Sequence, residues 1–256
     1  MGQRSPFDLS GQRALVTGSS RGLGFAMAKA LAAAGADIVL NGRDTEALGA
    51  AAADLSESGV EVKALAFDVA SEDSVAEAMD YCDREIGPID ILVNNAGTMV
   101  GGALEDYPLD RFEALLSANL VSALCVAQVV AKGMLARGRG KIINICSTRA
   151  DRPLPGNGPY AATKAALVNL TRAMALEWAP RGLHVNGIAP GFFATEMNAA
   201  RMADPDFQSF MSRVSPMGRW GEPDEIGGAV VFLASAASSF VNGHILYVDG
   251  GHSAAV

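Results

Sequence analysis

Tyr160 and Lys164 stand four residues apart at the start of a helical pattern, a spacing that puts both side chains on one helix face. A free phenol, with a pKa of about 10, exchanges protons poorly at neutral pH, and a nearby ammonium favours the phenolate. The pair is suited to pass a proton to or from an oxygen. Ser147, thirteen residues before Tyr160, ends an apolar run, and its hydroxyl could hydrogen-bond that oxygen and stabilise developing charge. Asn119 lies inside a long helical stretch. Singly, each is an ordinary residue, and a mid-helix Asn is usually a satisfied structural group. Their joint placement carries the signal.

The second chemical feature is a glycine-rich turn, Thr17-Gly18-Ser19-Ser20-Arg21-Gly22-Leu23-Gly24. It follows an apolar run and opens a helical pattern. Glycines let the backbone approach a pyrophosphate, which then rests on the unpaired N–H groups of the helix start. The spacing is Gly-x-x-x-Gly-x-Gly, not the commoner GxGxxG. The next run ends Leu40-Asn41-Gly42-Arg43, with no carboxylate before Asp44. An acid there would bind a ribose diol. Arg43, with Arg21, instead suits a 2′-phosphate, so NADP(H) is the expected cofactor.

These residues need a scaffold. Apolar, β-branched runs occur at Ala14–Thr17, Asp37–Leu40, Val62–Phe67, Ile89–Val93, Lys141–Ile145, His184–Ile188 and Ile245–Val248. Helical patterns separate them at Leu23–Ala34, Thr45–Ser58, Glu72–Ile86, Leu109–Arg137, Tyr160–Arg181 and Asp224–Ala236. The runs are nearly continuous, as in parallel strands covered on both faces. The order predicts an α/β fold, a single doubly wound Rossmann-type domain over 1–256 with a seven-stranded parallel sheet and helices on both faces. Ser147 then sits at the carboxyl edge of the sheet, where ligands bind. The segment Phe192–Arg219 has no clean period and reads as an irregular insert, expected to be a substrate lid.

Composition narrows the function class. The chain has 256 residues, half of them hydrophobic, which excludes wholesale disorder. Lys+Arg number 20 against Asp+Glu 28, a net charge of −8 without a basic block, so no nucleic-acid partner is expected. Three spaced cysteines (Cys82, Cys125, Cys146) without a CxxC pattern suit a reducing, cytoplasmic compartment, and no metal site is expected. Met1–Asp8 is polar and carries no leader-like apolar stretch. The charge-free stretch Ala114–Ala131 is short for a spanning helix and reads as buried, so no membrane partner is expected.

The sequence resembles the short-chain dehydrogenase/reductase family. The matching features are Thr17–Gly24, Asp68, Asn94-Asn95-Ala96-Gly97, Asn119, Ser147, Tyr160, Lys164 and Pro190-Gly191. The likeness spans Phe7-Asp8-Leu9-Ser10-Gly11 to Val248-Asp249-Gly250-Gly251. Within the family, Ile143–Ser147, Gly187–Met197 and Phe240–His244 look like gluconate 5-dehydrogenases, with 3-oxoacyl-carrier-protein reductases as next neighbours. The resemblance implies that Asn119, Ser147, Tyr160 and Lys164 are catalytic, with Asn119 holding a water that connects Lys164 to solvent. It implies cofactor contacts from Gly18, Ser19, Ser20, Arg21, Gly22, Leu23, Gly24, Asn41, Arg43, Asp68, Val69, Asn95, Ala96, Gly97, Tyr160, Lys164, Pro190, Gly191, Phe193 and Thr195. It also implies a homotetramer, to which the apolar helices around Asn119 and Tyr160 would contribute.

The substrate implied is a small carbonyl or alcohol compound, with 5-ketogluconate as the leading example. The family's basic pair after Asn-Asn-Ala-Gly is replaced here by Thr98-Met99-Val100-Gly101. Arg149 or Arg152 could supply the missing cation for a carboxylate. Met99 and Val100 instead suit a neutral ketone. A carrier-protein substrate would need a basic surface, for which Arg137, Arg139, Lys141 and Arg181 are available. A non-catalytic NADP-binding sensor is a remote alternative, since Tyr160 and Lys164 are both retained.

Overall fold

Strand β1 (Arg13–Val16) sends Ala14 and Val16 into one apolar cluster and Leu15 into another. The same alternation repeats in β2 (Asp37–Gly42), β4 (Ile91–Asn94) and β5 (Gly140–Ile145): Ile38 and Leu40 oppose Val39, Ile91 and Val93 oppose Leu92, and Ile143 opposes Ile142. Both faces of the sheet are therefore buried, which explains why these runs read as continuous rather than alternating hydrophobicity. Truncating a residue such as Leu15 or Leu92, each wholly buried, to Ala would cost about 2–5 kcal/mol.

The computed structural model describes residues 5–255. The expected domain span 1–256 and the polar start Met1–Asp8 include 1–4 and 256, which lie outside the described residues. With β3 (Val62–Ala66), β6 (Leu183–Pro190) and β7 (Ile245–Val248), seven strands form one parallel sheet in the order β3-β2-β1-β4-β5-β6-β7. Helices α1 (Gly22–Ala33), α2 (Thr45–Leu55) and α9 (Gly227–Ala234) pack on one face. Helices α3 (Glu72–Tyr81), α5 (Ser122–Arg137) and α6 (Gly158–Trp178) contribute to the cluster on the other. The strand order reverses between β1 and β4, creating the crevice at their carboxyl ends where doubly wound sheets bind ligands.

The stretch around Asn119 follows the sequence reading, and the segment after Phe192 corrects it. The apolar stretch around Asn119 belongs to a helical run from α4 (Leu109–Leu116) through a π-turn at Ser117–Val121 into α5. At 29 residues, Leu109–Arg137 is long and apolar enough to cross a membrane by length and composition. Here it is a layer of the domain, with Leu115, Val126, Ala127, Val130, Ala131 and Met134 buried. The segment after Phe192 is not irregular. It carries α7 (Ala199–Met202) and α8 (Pro205–Val214), the latter capped by Asp204, whose Oδ1 accepts from the N–H groups of Asp206 and Phe207. Asp204 followed by Pro205 is a helix-start signal that the sequence reading did not use.

Candidate active site

The glycine turn is held from behind. The Thr17 hydroxyl accepts the N–H groups of Asn95 and Ala96, each at 3.0 Å. The Asn95 Nδ2 donates to the carbonyls of Thr17 and Gly18 at 2.9 and 3.0 Å. Ser19 Oγ donates to Val16 O at 2.7 Å. Asn41 is 1% exposed; its amide donates to Leu65 O and Phe67 O and accepts Gly18 N–H. The side chains of Ser19 and Asn41, expected at the cofactor, therefore support the loop from inside, because a buried amide must satisfy its donors.

Close packing of the loop on itself and on the Asn95–Ala96 turn requires two of its glycines. A Cβ on Gly24 would come within 2.3 Å of Gly18 O, and one on Gly18 within 3.0 Å of Ala96 Cα. Side chains cap α2 and α3, through Asp44 and Ser71. At the start of α1, Arg21 provides no side-chain cap, and the first turn holds no acidic residue. That helix end is left electropositive and suited to an anion such as a pyrophosphate. Arg43 is exposed just after β2. Arg21 is exposed too, and pairs with Glu196 at 3.4 Å. Asp68 and Val69 are half-buried beyond β3; the Asp68 carboxylate accepts Ala70 N–H. At the end of β6, Gly191 lies so close to Asp249 that a Cβ would meet its Cα at 2.7 Å. Phe193 is 4% exposed and its ring belongs to the core, so only its main chain remains for a ligand. Thr195 is half-buried nearby, its N–H on Phe193 O.

The catalytic candidates converge across β5 and α6. Pro159 sits in the first turn of α6, a position that costs no hydrogen bond, and Tyr160 and Lys164 follow on one face. Lys164 is 5% exposed, donates to Ile145 O at 2.8 Å, and lies 5.9 Å from the centre of the Tyr160 ring. Ser147 follows β5 in extended backbone, and its Oγ accepts Arg149 N–H at 3.1 Å. Since that bond uses a lone pair, the hydroxyl hydrogen remains available to a substrate oxygen.

Asn119 lies in the π-turn and is 1% exposed. Its Oδ1 accepts Thr98 N–H at 2.7 Å, and its Nδ2 donates to Thr98 O and Thr163 Oγ1. Thr163 in turn donates to Tyr160 O. Both amide hydrogens are thus engaged, so the amide N–H groups are not free for the water implied by the resemblance. The side chain clamps the loop after Gly97 to α6. A Cβ on Gly97 would lie 2.9 Å from Asn119 Oδ1 and 3.7 Å from Lys164 Nζ, so the Asn95-Ala96-Gly97 turn borders Lys164. Thr163 escaped the sequence reading, as one threonine among many in apolar helices.

Of the two candidate cations after Ser147, Arg152 is exposed and donates to Ser253 O at 2.8 Å. Arg149 is 6% exposed and lies over the Phe192 ring. The basic residues considered for a carrier protein lie elsewhere. Lys141 is at the beginning of β5, Arg137 ends α5, and Arg181 precedes β6. They occupy the edge opposite the site.

Comparison with known proteins agrees with this geometry. The family described as enoyl-(acyl carrier protein) reductase matches residues 18–253. The gluconate 5-dehydrogenase of Gluconobacter oxydans (strain 621H) is 48% identical over 245 residues, 96% of each chain. The 5-keto-D-gluconate 5-reductase of Escherichia coli (strain K12) is 40% identical over 250 residues, 98% of each chain. A crystal structure of a gluconate 5-dehydrogenase from Burkholderia cenocepacia J2315, in complex with NADP and tartrate, superposes with a TM-score of 0.95 at 47% identity, covering 98% of each chain. With the Tyr160–Lys164 pair, Ser147 and the glycine loop in place, the chain belongs to the short-chain dehydrogenase/reductase family.

Proposed function

We propose that this enzyme uses NADP(H) to interconvert a ketone and a secondary alcohol, and that its substrate is a keto-sugar acid such as 5-ketogluconate. The convergence of Ser147, Tyr160 and buried Lys164 beside an uncapped glycine-loop helix carries the reading. The names of the 40–48% identical relatives support the substrate class. The pyrophosphate would rest on Gly18–Gly24, the adenosine end against Arg21, Arg43, Asp68 and Val69, and the nicotinamide end against Lys164, Pro190, Gly191, Thr195 and the main chain of Phe193.

Bound NADPH supplies the hydride. Ser147 Oγ donates a hydrogen bond to the substrate oxygen and stabilises its growing charge. The Tyr160 hydroxyl gives that oxygen its proton. The Lys164 ammonium favours the phenolate left behind. In the oxidative direction the same phenolate takes the proton back. The carrier-protein alternative loses support from the far-edge location of Arg137, Lys141 and Arg181.

A cytoplasmic, tetrameric enzyme without nucleic-acid or membrane partners completes the proposal. Its three cysteines are free and buried, as suits a reducing compartment. Exposed Leu104, Leu109, Val121, Leu176 and Phe240 offer apolar surface for assembly. The α7–α8 segment is proposed as the lid, since it faces the site through Arg201 and Met99. The deciding experiment measures 5-keto-D-gluconate reduction and gluconate oxidation with both cofactors. NADP-dependent turnover of the sugar acids is expected; activity on neutral ketones alone would refute the substrate class.

A further inference from the structure

Arg149 is a buried cation without an anion. Its Nη1 donates to Arg152 O and its Nη2 to His252 Nε2, both at 2.8 Å. Arginine has no acceptor, so His252 Nε2 must accept and the ring proton sits on Nδ1, donating to Val214 O at 3.0 Å. The imidazole is therefore neutral and offers no compensating charge. Among the described residues no carboxylate pairs with Arg149. Three of its five N–H groups have no hydrogen-bond partner among the described residues.

A second cation approaches from the lid. The Arg201 guanidinium lies 5.5 Å from the centre of the Phe207 ring, as Arg149 lies 5.0 Å from that of Phe192. The two rings meet edge to face at 5.6 Å. Arg201 Nη1 also lies 3.8 Å from Met99 Sδ, on the loop that leaves Gly97. Arg201 likewise has no carboxylate partner among the described residues. Burial first, and the Arg201 charge second, pull the Arg149 guanidinium down to about 10, while the Tyr160 phenol acts in the opposite sense. It remains charged at neutral pH. Two like charges held on adjoining rings, one of them buried, are unfavourable until an anion joins them.

We propose that Arg149 and Arg201 form the receptor for the substrate carboxylate. The inference rests on the keto-sugar-acid reading and names the residues that would select the acid. Arg149 is the fixed half: its own N–H is bonded to Ser147 Oγ, so it shares a turn with the hydroxyl that holds the reacting oxygen. Arg201 is the half carried by α7, so carboxylate binding draws the lid onto the site. Planar guanidinium groups suit a carboxylate through paired N–H donors.

The test compares 5-keto-D-gluconate with L-sorbose, in which CH2OH replaces that carboxylate, using the whole chain and NADPH. Arg201→Gln and Arg149→Gln should each raise the ratio of KM for the acid to KM for the ketose at least about tenfold. Arg201→Lys should recover part of that loss. Arg201 is only half-buried, so its variant reports even if Arg149→Gln does not fold. A ratio within twofold of wild type in Arg201→Gln overturns the receptor while the keto-sugar-acid reading stands. If wild type reduces no keto-sugar acid, that reading fails separately. In that case, or if L-sorbose turns over too slowly, calorimetric titration of tartrate into the NADP-loaded protein decides. Binding weakened at least tenfold by Arg201→Gln supports the receptor; unchanged binding, or none to wild type, overturns it.

Discussion

Lys164 and Ile145 are joined by a hydrogen bond of 2.8 Å, from the buried ammonium to the last main-chain carbonyl of β5. The bond ties α6 to the strand that presents Ser147, so the proposed proton donor Tyr160 and the Ser147 hydroxyl are set by one sheet edge. An ammonium beside a phenol favours the phenolate. Tyr160→Phe, which removes the proton but keeps the ring, should lower turnover at least about a hundredfold while NADPH binding persists. Steady-state assay and fluorescence titration check both parts; near-normal turnover would refute the role of Tyr160.

The cofactor prediction concerns the exposed end of β2. Arg43→Ala should weaken NADPH binding by about 1.5–3 kcal/mol, the scale of a charged hydrogen bond, and leave NADH nearly unchanged. Arg21 is engaged with Glu196, but both side chains are over three-quarters exposed, and such pairs contribute little. Glu196→Gln should therefore change NADPH affinity less than Arg43→Ala does. Equal weakening of both cofactors by Arg43→Ala would show that Arg43 does not read the 2′-phosphate.

A third prediction tests the glycine turn. A Cβ at position 24 would meet Gly18 O at 2.3 Å and Asn95 Nδ2 at 2.5 Å. Neither is a mobile side-chain end, because Asn95 is held by Thr17 and Gly18. Gly24→Ala must therefore displace the loop, at about 1–3 kcal/mol, with a lower melting temperature and weaker binding of NADPH and NADH alike. An unaltered melt and affinity would mean that the turn yields without loss.

The sheet was legible because burial on both faces writes continuous apolar runs, and β1 to β7 follow them closely. The glycine turn and the Tyr160–Lys164 pair were legible because each is local in the chain. The inward side chains of Asn41 and Ser19 were not legible: a strand-end residue faces either ligand or interior, and only the positions of Leu65, Phe67 and Val16 decide. Arg201 had no sequence signal. It reaches Met99 from 102 residues away, on a helix of 4 residues, too short to show a period. His252 is likewise brought to Arg149 across 103 residues by tertiary packing alone.

The last prediction concerns stability at the edge of the sheet away from the site. Lys141 begins β5 and donates to Ser238 Oγ at 3.2 Å, and burial pulls its ammonium down to about 8. An unfolded lysine titrates near 10.4. Below pH 8 the side chain is charged in both states, and the folded state bears the full desolvation cost. Between about pH 8 and 10.4 the unfolded state binds more protons, so this group's contribution to stability rises with pH. Above that range both states are neutral and the penalty is gone. Lys141→Met should therefore be more stable than wild type at pH 7, by about 1 kcal/mol once solvent screening of a partly exposed group is allowed for. The advantage should shrink through pH 8–10.4. Paired urea titrations at pH 7 and pH 10 measure it, and a difference that stays constant or grows with pH would reject the assigned cause.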